Sequence, residues 1–199
     1  MTSFALYEIA RNKDIQSRLR NEIKDMLVRT KGEVTYDAVM NASEMPYFNQ
    51  VFQETLRLYS VIPWLDRCCS EPEGYSLEPY GDFTIPYGMP IYVPFFAIHR
   101  DEKNYPNPLK FDPERFSPEN IGDIKPFTFL PFGVGPRNCV GERFGTMQAK
   151  TGIVKILKEF RLETTANTPK EITIEKGAIM IQNDKGLFMD MVKDPLYFE

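Results

Sequence analysis

Phe132-Gly133-Val134-Gly135-Pro136-Arg137-Asn138-Cys139-Val140-Gly141 is the stretch on which the reading of this 199-residue chain turns. An aromatic residue, three glycines and a proline impose a tight backbone path, whereas residues 142–160 have the composition and periodicity of a helix. Cys139 therefore stands just before a helix N-terminus. The first turn of a helix presents unpaired N–H groups and a partial positive charge, which favour a thiolate over a thiol. A stable thiolate is a ligand for iron, and the glycines at 133, 135 and 141 let the backbone approach a large flat cofactor and hydrogen-bond the sulfur. Arg137 would then face an anionic group such as a heme propionate. The plainer alternative is a buried thiol in a glycine-rich turn, where most isolated cysteines belong. Five residues weigh against it: Phe132, Gly135, Arg137, Cys139 and Gly141 fit F-x-x-G-x-R-x-C-x-G, a chance match at odds of roughly one in ten thousand.

With those five residues the chain resembles the cytochrome P450 family, whose heme-binding signature has this form. Two further family motifs stand in the expected order. Glu54-Thr55-Leu56-Arg57 matches the E-x-x-R motif of the K helix, and Phe111-Asp112-Pro113-Glu114-Arg115-Phe116 is similar to the P-E-R-F motif. The resemblance runs from end to end and is nearest to animal microsomal members, especially the clan that includes insect detoxifying enzymes. It implies a mainly α fold with small β-sheets, the C-terminal part of the cytochrome P450 fold: end of the I helix, J, K, meander, Cys loop, L helix and C-terminal β-hairpin. Residues 1–199 are then the C-terminal portion of a single domain, roughly the last two-fifths of the family's length. The N-terminal part, the membrane anchor and the distal acid and threonine pair fall outside, so no catalytic residue is expected in this chain.

The resemblance also assigns roles. Cys139 becomes the axial thiolate of heme b, with Arg67, Phe132, Gly135, Arg137 and Gly141 around the cofactor. Glu54, Arg57 and Arg115 form a structural network holding the meander against the K helix. At spacing i, i+3 Glu54 and Arg57 share a helix face, and the plain alternative is a solvated pair contributing about 0.2–0.5 kcal/mol. Val61-Ile62-Pro63-Trp64-Leu65 resembles the segment beside the heme, so Val61, Ile62 and Leu65 line a substrate pocket, as would Ile179 and Met180; core packing is the competing reading. Arg67 would pair with a propionate.

Net charge −4 and 42% hydrophobic residues describe an ordinary globular segment, with no basic stripe to bind nucleic acid and no apolar run near the roughly 18 residues of a transmembrane helix. Three cysteines, Cys68 and Cys69 adjacent, make no disulfide framework, and the only histidine, His99, is read as a structural hydrogen-bonding residue rather than a metal ligand. Asn41-Ala42-Ser43 fits a glycosylation sequon expected to be unused.

Ile15, Leu19, Ile23, Met26 and Leu27 recur at helical spacing after an Asn12 cap, ending at Lys31-Gly32; Phe48, Val51, Phe52, Thr55, Leu56 and Tyr59 form a second stripe behind Pro46. Strands are expected at 83–85, 91–94, 171–174, 179–182 and 187–191. Prolines between 98 and 130 leave room for about one helical turn.

The activity implied is that of a monooxygenase inserting one atom of O₂ into an apolar small molecule (xenobiotic, fatty acid or steroid-like). Electrons would come from NADPH-cytochrome P450 reductase, with cytochrome b5 as a second donor, at the cytosolic face of the endoplasmic reticulum membrane. Arg143 and Lys125 are candidate reductase contacts. Two readings compete: a P450-like isomerase or dehydratase that does not use O₂, and a truncated, non-catalytic product.

Overall fold

A computed structural model of the chain describes residues 1–197. Four helices build the core: α1 (Thr2–Arg11), α2 (Lys13–Arg29), α4 (Pro46–Leu58) and α6 (Glu142–Glu159), with the five-residue α3 (Tyr36–Met40) between α2 and α4. Phe4 and Ile9 of α1, Leu19, Ile23 and Leu27 of α2, Val51 and Phe52 of α4, and Ile153, Val154 and Leu157 of α6 interlock in one apolar cluster. Each such side chain, fully buried, contributes about 1.5–3 kcal/mol.

The helix ends show how the sequence is read locally. Lys31 in the left-handed region (φ 53°) and Gly32 close α2, with Gly32 N–H donating to Leu27 O at 2.7 Å and Lys31 N–H to Val28 O at 3.4 Å. This is the double bond of a Schellman end. Asn12 does not cap α2 from its side chain. Its Nδ2 instead donates backward to Glu8 O at 2.8 Å and to the Glu8 carboxylate, so it closes α1.

α4 is capped from outside. Pro46 at its first position has no N–H to satisfy, and the next two amides, Tyr47 and Phe48, donate to the Glu22 carboxylate at 2.8 and 2.7 Å. A carboxylate from α2 thus complements the positive end of α4. At the other end Leu58 O accepts from Arg100 at 2.6 and 3.2 Å, and Arg57 O faces His99 Nδ1 at 3.2 Å. Burial lowers Arg100 to about 10.

Among the described residues, three two-stranded antiparallel sheets flank this core: β1 (Leu65–Cys68) with β4 (Pro90–Val93), β2 (Tyr75–Ser76) with β3 (Thr84–Ile85), and β5 (Phe160–Glu163) with β6 (Asp190–Lys193). In the first, Leu65 lies opposite Val93 and Arg67 opposite Ile91. The sequence-based strands at 83–85 and 91–94 are close to β3 and β4, but their partners β1 and β2 were not expected. The strand expected at 187–191 begins at Asp190, because its register is set by β5, which continues directly from α6. The segments 171–174 and 179–182 form only a single bridge, Ile174 to Asn183, with Glu175 N–H donating to Gln182 O at 3.0 Å. A four-residue helix α5 (Phe95–Ile98) precedes the proline-rich stretch, which holds two 3₁₀ turns, Pro113–Phe116 and Ile121–Asp123, where one helical turn was expected. Among the described residues, no helix is long and apolar enough to cross a membrane.

Candidate heme-thiolate site

The cysteine loop is shaped by its own backbone hydrogen bonds. Cys139 N–H donates to Phe132 O at 2.8 Å, Asn138 N–H to Gly135 O at 3.1 Å and Gly133 N–H to Leu130 O at 3.2 Å. Gly133 and Gly135 take φ of 78° and 80°, a region side chains rarely enter. A Cβ at Gly133 would also sit 3.0 Å from Leu65 Cδ1, so the glycine lets β1 close against the loop. Around Gly135 nothing lies within 4 Å of an added Cβ, and one at Gly141 would meet the Cys139 sulfur at 3.8 Å. Gly141 then starts α6, placing Cys139 just ahead of that helix, with its thiol free and exposed. Phe132 is half-buried against the core.

Several of the sequence-selected residues meet here. Arg67 on β1 donates to Asp66 O at 2.7 Å and approaches Arg137 O at 3.5 Å, bringing two arginines to one edge of the loop. Leu65 touches the Gly133 position from the same strand. Ile181 N–H donates to Val61 O at 2.8 Å, which ties the turn carrying Ile179 and Met180 to the Val61-Ile62 segment. Ile179 and Met180 are exposed, Ile179 to 81%, while Ile62 and Leu65 are half-buried.

Glu54, Arg57 and Arg115 also come together. Glu54 and Arg57 have no accessible side-chain surface and pair twice, Arg57 Nε to Glu54 Oε2 and Nη2 to Oε1, both at 2.7 Å. Glu54 Oε1 additionally accepts Asp112 N–H at 2.9 Å and lies 3.5 Å from Arg115 Nε, a separation that supplies Coulombic attraction without a formed hydrogen bond. Burial pushes the Glu54 carboxyl up, against the opposing pull of Arg57, Asp112 N–H and Arg115. Arg57 Nη1 donates to His99 O at 2.6 Å, and Arg115 Nη2 to Pro106 O and Asn107 O at 2.7 and 3.0 Å. Thus α4 and the Pro113–Phe116 turn are clamped together through side chain and backbone at once.

The candidate partner contacts have local engagements of their own. Arg143 Nε donates to Tyr36 OH at 2.8 Å, and Lys125 Nζ to Lys103 O at 2.5 Å. A cleft of about 810 Å³ between α2 and the β5–β6 pair includes Gln16, Arg20 and Arg161 and shares no residue with the cysteine loop.

Sequence reading missed three features. Lys150 is buried over the Phe48 and Phe52 rings and donates to Asn49 Oδ1 at 3.1 Å. It lies in register with Ile153, Val154 and Leu157 on α6, a position that marks it as inward-facing from sequence. Burial lowers its ammonium. The Glu22 cap of α4 and the pairing of β1 with β4 carry no local signal.

The donor set suits one large prosthetic group rather than a bare ion. Among the described residues no cluster of three histidine, cysteine or carboxylate side chains exists. The exposed Cys139 thiol, the neighbouring Arg67 and Arg137, and the open position at Gly135 gather instead at the cysteine loop. The family model for Cytochrome P450 matches residues 1–189. The chain belongs to the cytochrome P450 family. It is 43% identical over 195 residues to "Probable cytochrome P450 6g2" of Drosophila melanogaster, a match covering 98% of this chain and 37% of that protein. Cytochrome P450 6a2 of the same species is 42% identical over 94% of this chain and 36% of its own length, and Cytochrome P450 9e2 of Blattella germanica is 42% identical over 94% and 34%. The chain therefore spans a little over a third of the length of the curated relatives it matches. Heme is the family's cofactor and monooxygenation its characteristic chemistry.

Proposed function

We propose that this chain is the C-terminal portion of a single P450 domain and supplies the cysteine-ligand side of a heme-thiolate monooxygenase. The observation that carries the reading is the contact of the Cys139 loop with β1, through Leu65 at Gly133 and Arg67 at Arg137, beside the Val61 segment to which the Ile179 turn is hydrogen-bonded. Cys139 would hold heme b through its thiolate, and Arg67 and Arg137 would hold the propionates by charge-assisted hydrogen bonds. When bound, the heme supplies reductive activation of O₂, for which thiolate donation favours O–O cleavage.

This chain's own residues bind and orient. Gly133 and Gly135 permit the close backbone approach, Phe132 would pack beside the bound cofactor, and Val61, Ile62, Leu65, Ile179 and Met180 offer an apolar wall to an apolar substrate. Glu54, Arg57 and Arg115 hold the frame from behind. The distal groups that handle protons lie elsewhere in a complete domain. Similarity to insect P450s supports NADPH-cytochrome P450 reductase as electron donor, with cytochrome b5 as a second, and the cytosolic face of the endoplasmic reticulum membrane as the location.

The test is the reduced, carbon monoxide-bound absorption spectrum of the heme-loaded full-length protein beside Cys139→Ser. We expect the long-wavelength thiolate band in the unsubstituted protein and its loss in the variant. A band that survives the substitution would overturn the assignment of Cys139. Turnover of a pre-oxidised substrate without O₂ would replace monooxygenation by isomerase or dehydratase chemistry.

A further inference from the structure

His99 makes more use of its ring than a packing histidine needs. It is fully buried between Phe95 and Phe129, with ring centroids at 5.9 and 5.6 Å. Nε2 accepts the Leu130 N–H at 2.8 Å. The proton must therefore sit on Nδ1, which faces Arg57 O at 3.2 Å and Ser60 Oγ at 3.1 Å. The neutral tautomer is thus assigned by its partners, and burial lowers the ring's pKa to about 4.

Its three contacts join two regions. Arg57 O belongs to the last turn of α4 and Ser60 lies just past its end; Arg57 is paired to Glu54 and also donates to the His99 carbonyl. Leu130 opens the cysteine loop: its carbonyl accepts Gly133 N–H, and Phe132, two residues on, accepts Cys139 N–H. Pro131, between them, has no N–H, so the amide held by His99 is the last free to anchor the loop before its turn.

We propose that His99 is a positioning residue for Cys139: its imidazole ties the entrance of the cysteine loop to the buried Glu54–Arg57 pair and so sets where the sulfur is presented. The inference rests on the reading of Cys139 as heme ligand. Loss of the bond at Leu130 leaves the fold's core in place but frees the loop, so the sulfur exchanges more readily between ligating and protonated states. Because Gln can place a carbonyl near the Nε2 position and Asn a donor near Nδ1, the two amides separate the loop contact from the helix contact.

The experiment uses the heme-loaded full-length protein with His99→Gln, His99→Asn, His99→Phe and Cys139→Ser, following conversion of the thiolate-type carbon monoxide band to the blue-shifted thiol-type band, normalised to folded protein. We expect conversion about tenfold faster in the Asn and Phe variants, the effect of one lost buried hydrogen bond, with Gln near the unsubstituted protein. Equal behaviour of Gln, Asn and Phe, or no change in any, overturns the proposal. Persistence of the thiolate band in Cys139→Ser would instead remove the ligand reading beneath it. Should the histidine variants fail to fold, amide exchange in the unsubstituted protein decides: the amides of Leu130, Gly133 and Cys139 are expected to exchange as one slow set, and fast, independent exchange at Cys139 contradicts the tie.

Discussion

α4 and the cysteine loop are joined by the single imidazole of His99, yet they are built on opposite terms. In α4 the polar groups are consumed internally: Glu22 caps its start, Arg100 and His99 its end, and Glu54 and Arg57 occupy each other with no accessible surface. The loop spends its hydrogen bonds on shape and turns side chains outward, with Val140 fully exposed and Val134 at 54%. A buried ionic frame is costly to disturb because an unpaired charge cannot reach water. Apart from Gly133 and Gly135, whose backbone angles demand glycine, the exposed loop positions are cheap to substitute for stability, so their residue types answer to chemistry.

The largest expected effect lies on the frame. Glu54→Gln leaves the Arg57 guanidinium buried without its counter-charge and should destabilise by about 3–5 kcal/mol, measured as a fall in urea midpoint. A loss below 1 kcal/mol would show that water reaches the pair and would erase the contrast with a surface ion pair.

His99 provides an intermediate test through pH. Its folded pKa of about 4 lies below the ordinary value of 6.5, so between those limits the unfolded chain binds a proton that the folded chain refuses. Stability should therefore be complete above pH 6.5 and fall by about 3 kcal/mol as pH drops toward 4, with no further loss from this group below that. Glu8, raised by burial, changes stability in the opposite sense, gaining as pH falls. Comparing urea midpoints of the unsubstituted protein and His99→Gln across this range isolates the histidine, and parallel curves would refute its neutral burial.

The smallest effect belongs to the exposed wall. Met180→Gln should alter stability by no more than about 0.5 kcal/mol, while weakening uptake of apolar ligands measured by spectral titration. A large destabilisation would make that turn part of the core.

Periodicity located α2, α4 and α6 because an amphipathic helix writes its buried stripe at spacings of three and four residues, and Lys31-Gly32 marked a stop that Schellman bonds realise. The F-x-x-G-x-R-x-C-x-G pattern located the cysteine loop because its glycine backbone angles are local requirements. Local sequence misread Asn12, whose amide can serve either helix, and misplaced the strand at 187–191, whose bounds depend on pairing with β5. The E-x-x-R spacing placed Glu54 and Arg57 on one face but could not distinguish a solvated pair from a fully buried one. What the sequence by itself determined was which residue types stand at helical spacing or in a strained turn, since those constraints act over a few neighbouring residues. Only the tertiary structure decided that Glu22 caps α4, that β1 meets β4 and the loop, and that one imidazole bridges Arg57 to Leu130, because desolvation and pairing over tens of residues depend on packing that no local pattern encodes.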